Sequence, residues 1–238
     1  MKLEKDITIP VSGCDHRANA SIPYLFALFM DAATEHSEAM GIGKAAMDKT
    51  GLFWIAVRSK VKIQDRPCRM DPVTVRTWPE APGRIRCNRY YTITDGDRLL
   101  VEAKTEWAII DLKNGRPQKL SALYPEGMAH LTDTVCDEAF VRFDDDFSEA
   151  EILDTYKVRS TDIDFGNHMN NVAYIRALFG VFSCAELDAM TVKEVEVAFK
   201  SQSYEGDILT IRRRIGDGFT DYAMIRENGD IAAIIRIS

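Results

Sequence analysis

The chain states one pattern of elements twice, and that repetition restricts the fold more than any single motif does. Asp15, an Asn and small residues lead into Tyr24, and Leu25, Phe26, Phe29 and Met40 then recur at helical spacing. Asp164 leads in the same way to Tyr174, followed by Ile175, Leu178, Phe179 and Phe182. Each helix is followed by segments rich in β-branched and aromatic residues: 53–63, 73–78, 86–94 and 99–110 in the first half, and 192–199, 208–215, 220–226 and 231–237 in the second. The turns correspond as well. Met70-Asp71 answers Glu205-Gly206-Asp207, and Asp95-Gly96-Asp97 answers Asn228-Gly229-Asp230, each a tight connection between antiparallel strands. The economical reading is two α+β units in tandem, over 1–120 and 151–238.

Between them the periodicity fades across 112–150, where Asn114-Gly115, Pro117, Pro125-Glu126-Gly127 and Asp144-Asp145-Asp146 read as connecting chain, with 121–150 as the linker proper. The acidic run lacks the alternating spacing and closing Glu of a calcium loop, so a solvated linker is expected there.

An apolar fraction of 46% suffices for two cores, and a formal charge of -7 argues against bulk binding to nucleic acid or an anionic membrane. The run Met1-Lys2-Leu3-Glu4-Lys5-Asp6 has no apolar stretch like that of a secretory signal, and no segment reaches the roughly 20 apolar residues of a membrane span. A cytoplasmic protein is expected. Cys14, Cys68, Cys87, Cys136 and Cys184 are scattered and odd in number, which suits reduced, mostly buried thiols rather than a disulfide framework or zinc site. There is no Gly-x-Ser-x-Gly elbow, phosphate loop or metal-binding His pair, so cofactor-free chemistry is expected.

The densest set of reactive groups precedes the second helix: Asp162-Ile163-Asp164-Phe165-Gly166-Asn167-His168-Met169-Asn170-Asn171-Val172-Ala173-Tyr174. A helix start offers unpaired N–H groups and the positive end of the macrodipole, so it can hold an oxyanion beside Asp164 and His168. That arrangement suits acyl transfer, with Asp164 as general base or as a nucleophile forming a transient anhydride, two routes that sequence leaves open. His168 would orient that carboxylate, donate to the oxyanion or protonate the leaving group. Asn170 and Asn171 suit an N-cap, with Asn170 also a catalytic candidate, while Tyr174 suits packing against the sheet. His16, His36 and His130 read as structural.

One helix followed by four antiparallel strands, duplicated, is the layout of a tandem (double) hot-dog of the α+β class, two antiparallel sheets each wrapped around a long central helix. Residues 162–174 resemble the Asp-x-Asp-x-Asn-x-His-x-Asn-Asn-x-x-Tyr signature of the acyl-acyl carrier protein thioesterases. Asp31-Ala32-Ala33, His36, Trp54, Arg76-Thr77-Trp78-Pro79, Trp107 and Asp111 also fall where that family has similar residues. The resemblance implies hydrolysis of a fatty acyl thioester on acyl carrier protein, with an acyl-CoA thioesterase of the same fold, or a non-catalytic acyl-thioester-binding protein, as alternatives. One chain already supplies the paired hot-dogs that single-domain relatives obtain by dimerising, and a homodimer of the whole chain stays open.

Two departures from the family pattern matter. Gly166 stands where the family carries Asn, with an amide displaced to Asn167, so either that amide or the Gly166 N–H would position the carbonyl. Gln202 and Ser203 stand where the family presents Glu and sometimes Cys. Glutamine cannot act as a base but can hold a water, which leaves Asp164 as the carboxylate base. Leu25, Phe26, Phe29 and Met30 suit either core or the lining of an acyl slot. An acidic carrier would dock on a local basic patch, for which Arg84, Arg86 and Arg89, or Arg212, Arg213 and Arg214, are candidates, though alternation along a strand splits either trio between two faces.

Overall fold

A computed structural model describes residues 2–125, 127–128 and 130–238; Met1 of the charged N-terminal run and Glu126 of the Pro125-Glu126-Gly127 turn lie outside the described residues. The first half contains β1 (Leu3–Thr8), α1 (Ile22–Ala39), α2 (Lys44–Thr50), β2 (Leu52–Ile63), β3 (Pro72–Pro79), β4 (Arg86–Asp95) and β5 (Arg98–Asp111). The second contains β6 (Glu151–Lys157), α3 (Asn171–Phe179), α4 (Cys184–Ala189), β7 (Glu194–Phe199), β8 (Ile208–Ile215), β9 (Thr220–Arg226) and β10 (Ile231–Ile237). They fall in two compact units, Met1–Glu138 and Ala139–Ser238.

Within the first unit the strands are ordered β1-β3-β4-β5-β2, and within the second β6-β8-β9-β10-β7, each neighbouring pair antiparallel. Position by position these are one topology, a hot-dog repeated. The matched turns also share backbone shape: Met70 and Gly206 close one pair at φ 68 and 92, and Gly96 and Gly229 the other at φ 55 and 88. A left-handed conformation is inexpensive for glycine and strained for methionine, so the first copy of that turn carries a small local cost.

In the first unit α1 starts under a Ser21 cap, whose Oγ accepts from the Tyr24 N–H at 3.3 Å. It buries Leu25, Phe26, Phe29, Ala32, Ala33 and His36 on one face. Phe29 meets Tyr91 of β4 with ring centroids 4.9 Å apart, a burial that stabilises by on the order of 2 kcal/mol per ring.

The second helix is shorter than its counterpart. It stops at Phe179, with Gly180 as its C-cap, because Ser183 and Glu186 form a reciprocal capping box that starts α4 instead. Phe182 therefore lies beyond α3, where its ring meets Phe179 at 6.3 Å and Tyr222 at 5.8 Å. The long central helix expected for each half is present only in the first.

The stretch between the last strand of one unit and the first of the next is anchored at both ends. Leu120, Leu123 and Tyr124 are buried with Ile42, Leu52, Cys87 and Ile109, while Phe147 is buried with Ala223 and Ile234. The acidic run is held by cations of its own unit: Asp144 pairs with Arg214 at 3.2 Å and Asp145 with Lys200. Of the cysteines, Cys87 and Cys136 are buried whereas Cys68 and Cys184 are exposed, so the expectation of mostly buried thiols fails. Cys68 and Cys184 sit in a turn and at the first position of a short helix with no buried residue, where no core was available to them.

Candidate active site

The turn ahead of α3 is fixed from inside by Asp162. Its carboxylate is buried, accepting from the Tyr156 hydroxyl at 2.8 Å and the Arg159 N–H at 2.9 Å, while its carbonyl accepts from the Asn170 N–H at 2.8 Å. The end of β6 is thereby tied to the start of α3. Burial, then the hydrogen bond to Asp162, pushes the Tyr156 phenol up to about 12, which keeps it a donor.

From that bracket the chain makes a tight loop closed by a bridge between Ile163 and Met169. The Asp164 N–H donates to the His168 carbonyl at 3.0 Å and the Asn167 N–H to the Asp164 carbonyl at 3.0 Å. Asn167 occupies the left-handed region at φ 62, which asparagine tolerates better than most residues, and its side chain is exposed. Asn170 caps the helix, its Oδ1 accepting from the Val172 N–H at 2.8 Å.

This loop brings the two reactive groups together. Asp164 Oδ1 lies 3.8 Å from His168 Nδ1, the side chains being 25% and 21% exposed, so both are shielded yet reachable. At that distance the contact is Coulombic rather than a hydrogen bond, and a small ring rotation or one water would complete it. Oδ1 also accepts from the Gly166 N–H at 2.7 Å, which leaves Oδ2 with no hydrogen bond among the described residues.

Gly166 explains its own identity. A Cβ there would lie 2.6 Å from His168 Cε1 and 3.0 Å from Asp164 Oδ1, so only glycine lets the imidazole rest over the loop. Asparagine, the residue the resemblance leads one to expect, would displace the ring.

Gln202 reaches this cluster through a residue that sequence reading missed. The Tyr204 hydroxyl donates to Gln202 Oε1 at 3.0 Å, and the Tyr204 ring meets the His168 ring edge-on with centroids 6.4 Å apart. The two segments are joined by the Met169 N–H donating to the Ser203 carbonyl at 2.8 Å. Only the i, i+2 spacing of Tyr204 from Gln202 hinted at it. Tyr174 packs against Phe199 at 6.0 Å, as its position on the helix suggested.

The first unit contains the same loop with different chemistry. Cys14 and Ala20 form the corresponding bridge, Asp15 Oδ1 accepts from the Arg17 N–H at 2.9 Å, Ala18 takes the left-handed position at φ 65, and Asn19 stands where His168 does. The Ala20 N–H donates to the Pro67 carbonyl at 2.8 Å, as Met169 does to Ser203, which puts Arg66 in the place of Gln202. Arg66 pairs with Asp15 at 2.6 Å. The carboxylate of the first loop is thus neutralised, and that of the second is open.

Neither basic trio forms a free patch. Arg89 is buried, Arg86 pairs with Glu106 at 2.6 Å, Arg213 pairs with Glu151 at 2.6 Å, and Arg214 pairs with Asp144 and Asp221. Arg212 donates to the carbonyls of Phe147, Ser148 and Ala150. Among the described residues no helix is long and apolar enough to cross a membrane.

A sequence model of the acyl-ACP thioesterase N-terminal domain matches residues 1–126, and one of the C-terminal domain matches residues 146–238. The chain belongs to the acyl-ACP thioesterase family. Among curated members, a chloroplastic acyl-[acyl-carrier-protein] hydrolase of Cuphea viscosissima is 26% identical over 73% of this chain and 46% of its own length. A chloroplastic oleoyl-acyl carrier protein thioesterase of Coriandrum sativum is 25% identical over 66% and 47%. The chain therefore spans about half the length of these curated relatives. Its fold matches that of an acyl-ACP thioesterase from Bacteroides thetaiotaomicron, with a TM-score of 0.82, 17% identity and 99% and 96% of the two chains covered. A 12:0-ACP thioesterase from Umbellularia californica superposes with a TM-score of 0.81 at 16% identity, over 100% and 96%. In this chain Gly166 lies under the imidazole, and Gln202 is linked to it through Tyr204.

Proposed function

We propose that this protein hydrolyses the thioester of a fatty acyl group carried on acyl carrier protein, with Asp164 as the reacting carboxylate. One observation carries the reading: of two equivalent loops, only the second leaves its aspartate without an arginine partner and beside an imidazole. A paired carboxylate would be too weak a base and too poor a nucleophile for this work.

In the proposed reaction Oδ2 of Asp164 either draws a proton from the attacking water or itself attacks the carbonyl carbon. Either way negative charge builds on the carbonyl oxygen, and the start of α3 stabilises it through its dipole. His168 delivers a proton to the departing thiolate; on the water route the product is then the free fatty acid, and on the nucleophilic route water must next hydrolyse the acyl anhydride on Asp164 to release it. Gln202 cannot take the proton, but with Oε1 engaged by Tyr204 its amide N–H groups are left to hold the water. Gly166, Asn167 and Asn170 shape the loop that sets these distances.

The test is thiol release from acyl-carrier-protein and acyl-CoA panels. Turnover on the carrier-bound panel supports the reading, and a higher kcat/KM there than on matched acyl-CoA supports the carrier as the natural partner. Acyl-ligand binding without thiol release would contradict the hydrolytic reading. A single turnover in labelled water, with hydroxylamine trapping alongside, tests the two routes: label in Asp164 or a trapped acyl-Asp164 identifies the anhydride, whichever carbonyl water attacks.

A further inference from the structure

The aromatic ring beside the His168 imidazole is held more firmly than its exposure suggests. Tyr204 is 45% exposed, yet it is tied down at backbone, ring and hydroxyl. Its N–H donates to Asp207 Oδ2 at 3.0 Å, and its carbonyl accepts from the Asp207 N–H at 3.0 Å. That carboxylate also pairs with Arg226 at 3.2 Å, and the Arg226 guanidinium lies over the Tyr204 ring, 5.9 Å from its centroid. The hydroxyl is engaged by Gln202, and the same ring meets His168.

The first unit shows that the turn itself does not require this ring. One residue past the equivalent Pro67 and Ser203 carbonyls, Cys68 stands where Tyr204 does, and its N–H donates to Asp71 Oδ2 at 2.8 Å as that of Tyr204 does to Asp207. Cys68 and Asn19 form a bridge, and Cys68 Sγ donates to Asn19 Oδ1 at 3.1 Å. Asn19 is the counterpart of His168. Both copies therefore pair the same two positions, Asn19 with Cys68 beside the neutralised carboxylate and His168 with Tyr204 beside the open one. The imidazole and the phenol ring come as a pair.

An imidazole has two side-chain torsions to settle, and acid catalysis needs one of its nitrogens within hydrogen-bond reach of the leaving group. Nδ1 is turned to Asp164, so Nε2 is the nitrogen left for that task. Gly166 makes room for the ring on the loop, and Tyr204 meets it edge-on from the neighbouring segment. Such a contact restrains the imidazole without placing a charge against it. We propose that Tyr204 is a positioning residue, whose ring holds the His168 imidazole so that Nε2 meets the departing thiolate. This role rests on the hydrolytic reading above.

The experiment compares Tyr204→Leu and Tyr204→Phe with wild type on the best acyl-carrier-protein substrate of the panel. Tyr204→Leu is expected to lower kcat at least about tenfold with KM within about threefold, the scale of a misplaced catalytic group. Its melting temperature should stay near wild type, because Cys68 closes the same turn without a ring. Tyr204→Phe, which restores the ring without the hydroxyl, should recover most of the loss. In a His168→Ala background Tyr204→Leu should cost less than about a further twofold, since its effect runs through the imidazole. The chain has four histidines, so the His168 ring signal is assigned by its absence from the His168→Ala spectrum. Its ring-current displacement in proton–carbon NMR should survive in Tyr204→Phe and vanish in Tyr204→Leu. Wild-type kcat in Tyr204→Leu, a change confined to KM, unfolding of that variant, Tyr204→Phe as slow as Tyr204→Leu, an undiminished loss in the His168→Ala background, or an unmoved His168 signal would each overturn the role. Any of these results leaves the hydrolytic reading standing if wild type releases thiol and Asp164→Asn does not, whereas no release by wild type would overturn both.

Discussion

Asp15 and Arg66 form an ion pair at 2.6 Å at the site where the second copy of the loop places Asp164 and Gln202. Duplication thus left two loops of one shape, one closed by a cation and one open. Transplanting the cation should close the other: Gln202→Arg is expected to pair with Asp164 and lower kcat/KM by about 100-fold or more, the scale of losing a positioned general base. Circular dichroism and melting temperature should stay near wild type, because residue 202 is exposed. Unchanged kcat/KM in a folded Gln202→Arg would contradict the equivalence of the two loops.

Gly166→Ala tests the support of the imidazole. The new methyl would lie 2.6 Å from His168 Cε1 and must push the ring aside, while the backbone there is not in the left-handed region. A misplacement of that size is expected to cost about 10- to 100-fold in kcat with a stability change under about 1 kcal/mol. Steady-state kinetics alongside chemical denaturation would separate the two effects.

Asp162 should matter to stability. Its buried carboxylate accepts from Tyr156 and Arg159 and links β6 to α3, so Asp162→Ala strands two donors. A loss of about 2–3 kcal/mol is expected from urea denaturation at neutral pH. A loss below about 0.5 kcal/mol would show that the bracket is dispensable.

His36 predicts a pH dependence. The unfolded imidazole titrates near 6.5 and the folded one near 4, so between these values the unfolded state binds the extra proton. Stability should therefore fall as pH drops through 6.5 and level off near 4, by up to about 3 kcal/mol. His36→Gln should remove that component, read as the difference between variant and wild-type denaturation curves over the same window.

How much of this was written in the sequence depends on what each residue buries. The strands with apolar faces and the repeat itself were legible, because alternation and turn residues such as Gly96 and Gly229 mark them directly. β1 and β6 were not: as edge strands of their units they carry Glu4, Lys5 and Asp6, or Asp154 and Lys157, and bury no residue. The short helices α2 and α4 bury nothing either and left no periodic trace. At the site, the Asp164 and His168 cluster was visible as a motif. The meaning of Gly166 was not, since it lies in a Cβ contact across the loop, and the exchange of Arg66 for Gln202 appears only when hydrogen bonds align the two copies.

Asp164→Asn tests the central claim most directly. The amide keeps the size of the side chain and can still accept from the Gly166 N–H, but it can neither take a proton nor form an anhydride. Thiol release from acyl-carrier-protein is expected to fall by about 1,000-fold or more at an unchanged melting temperature. Turnover within a few-fold of wild type would contradict the account.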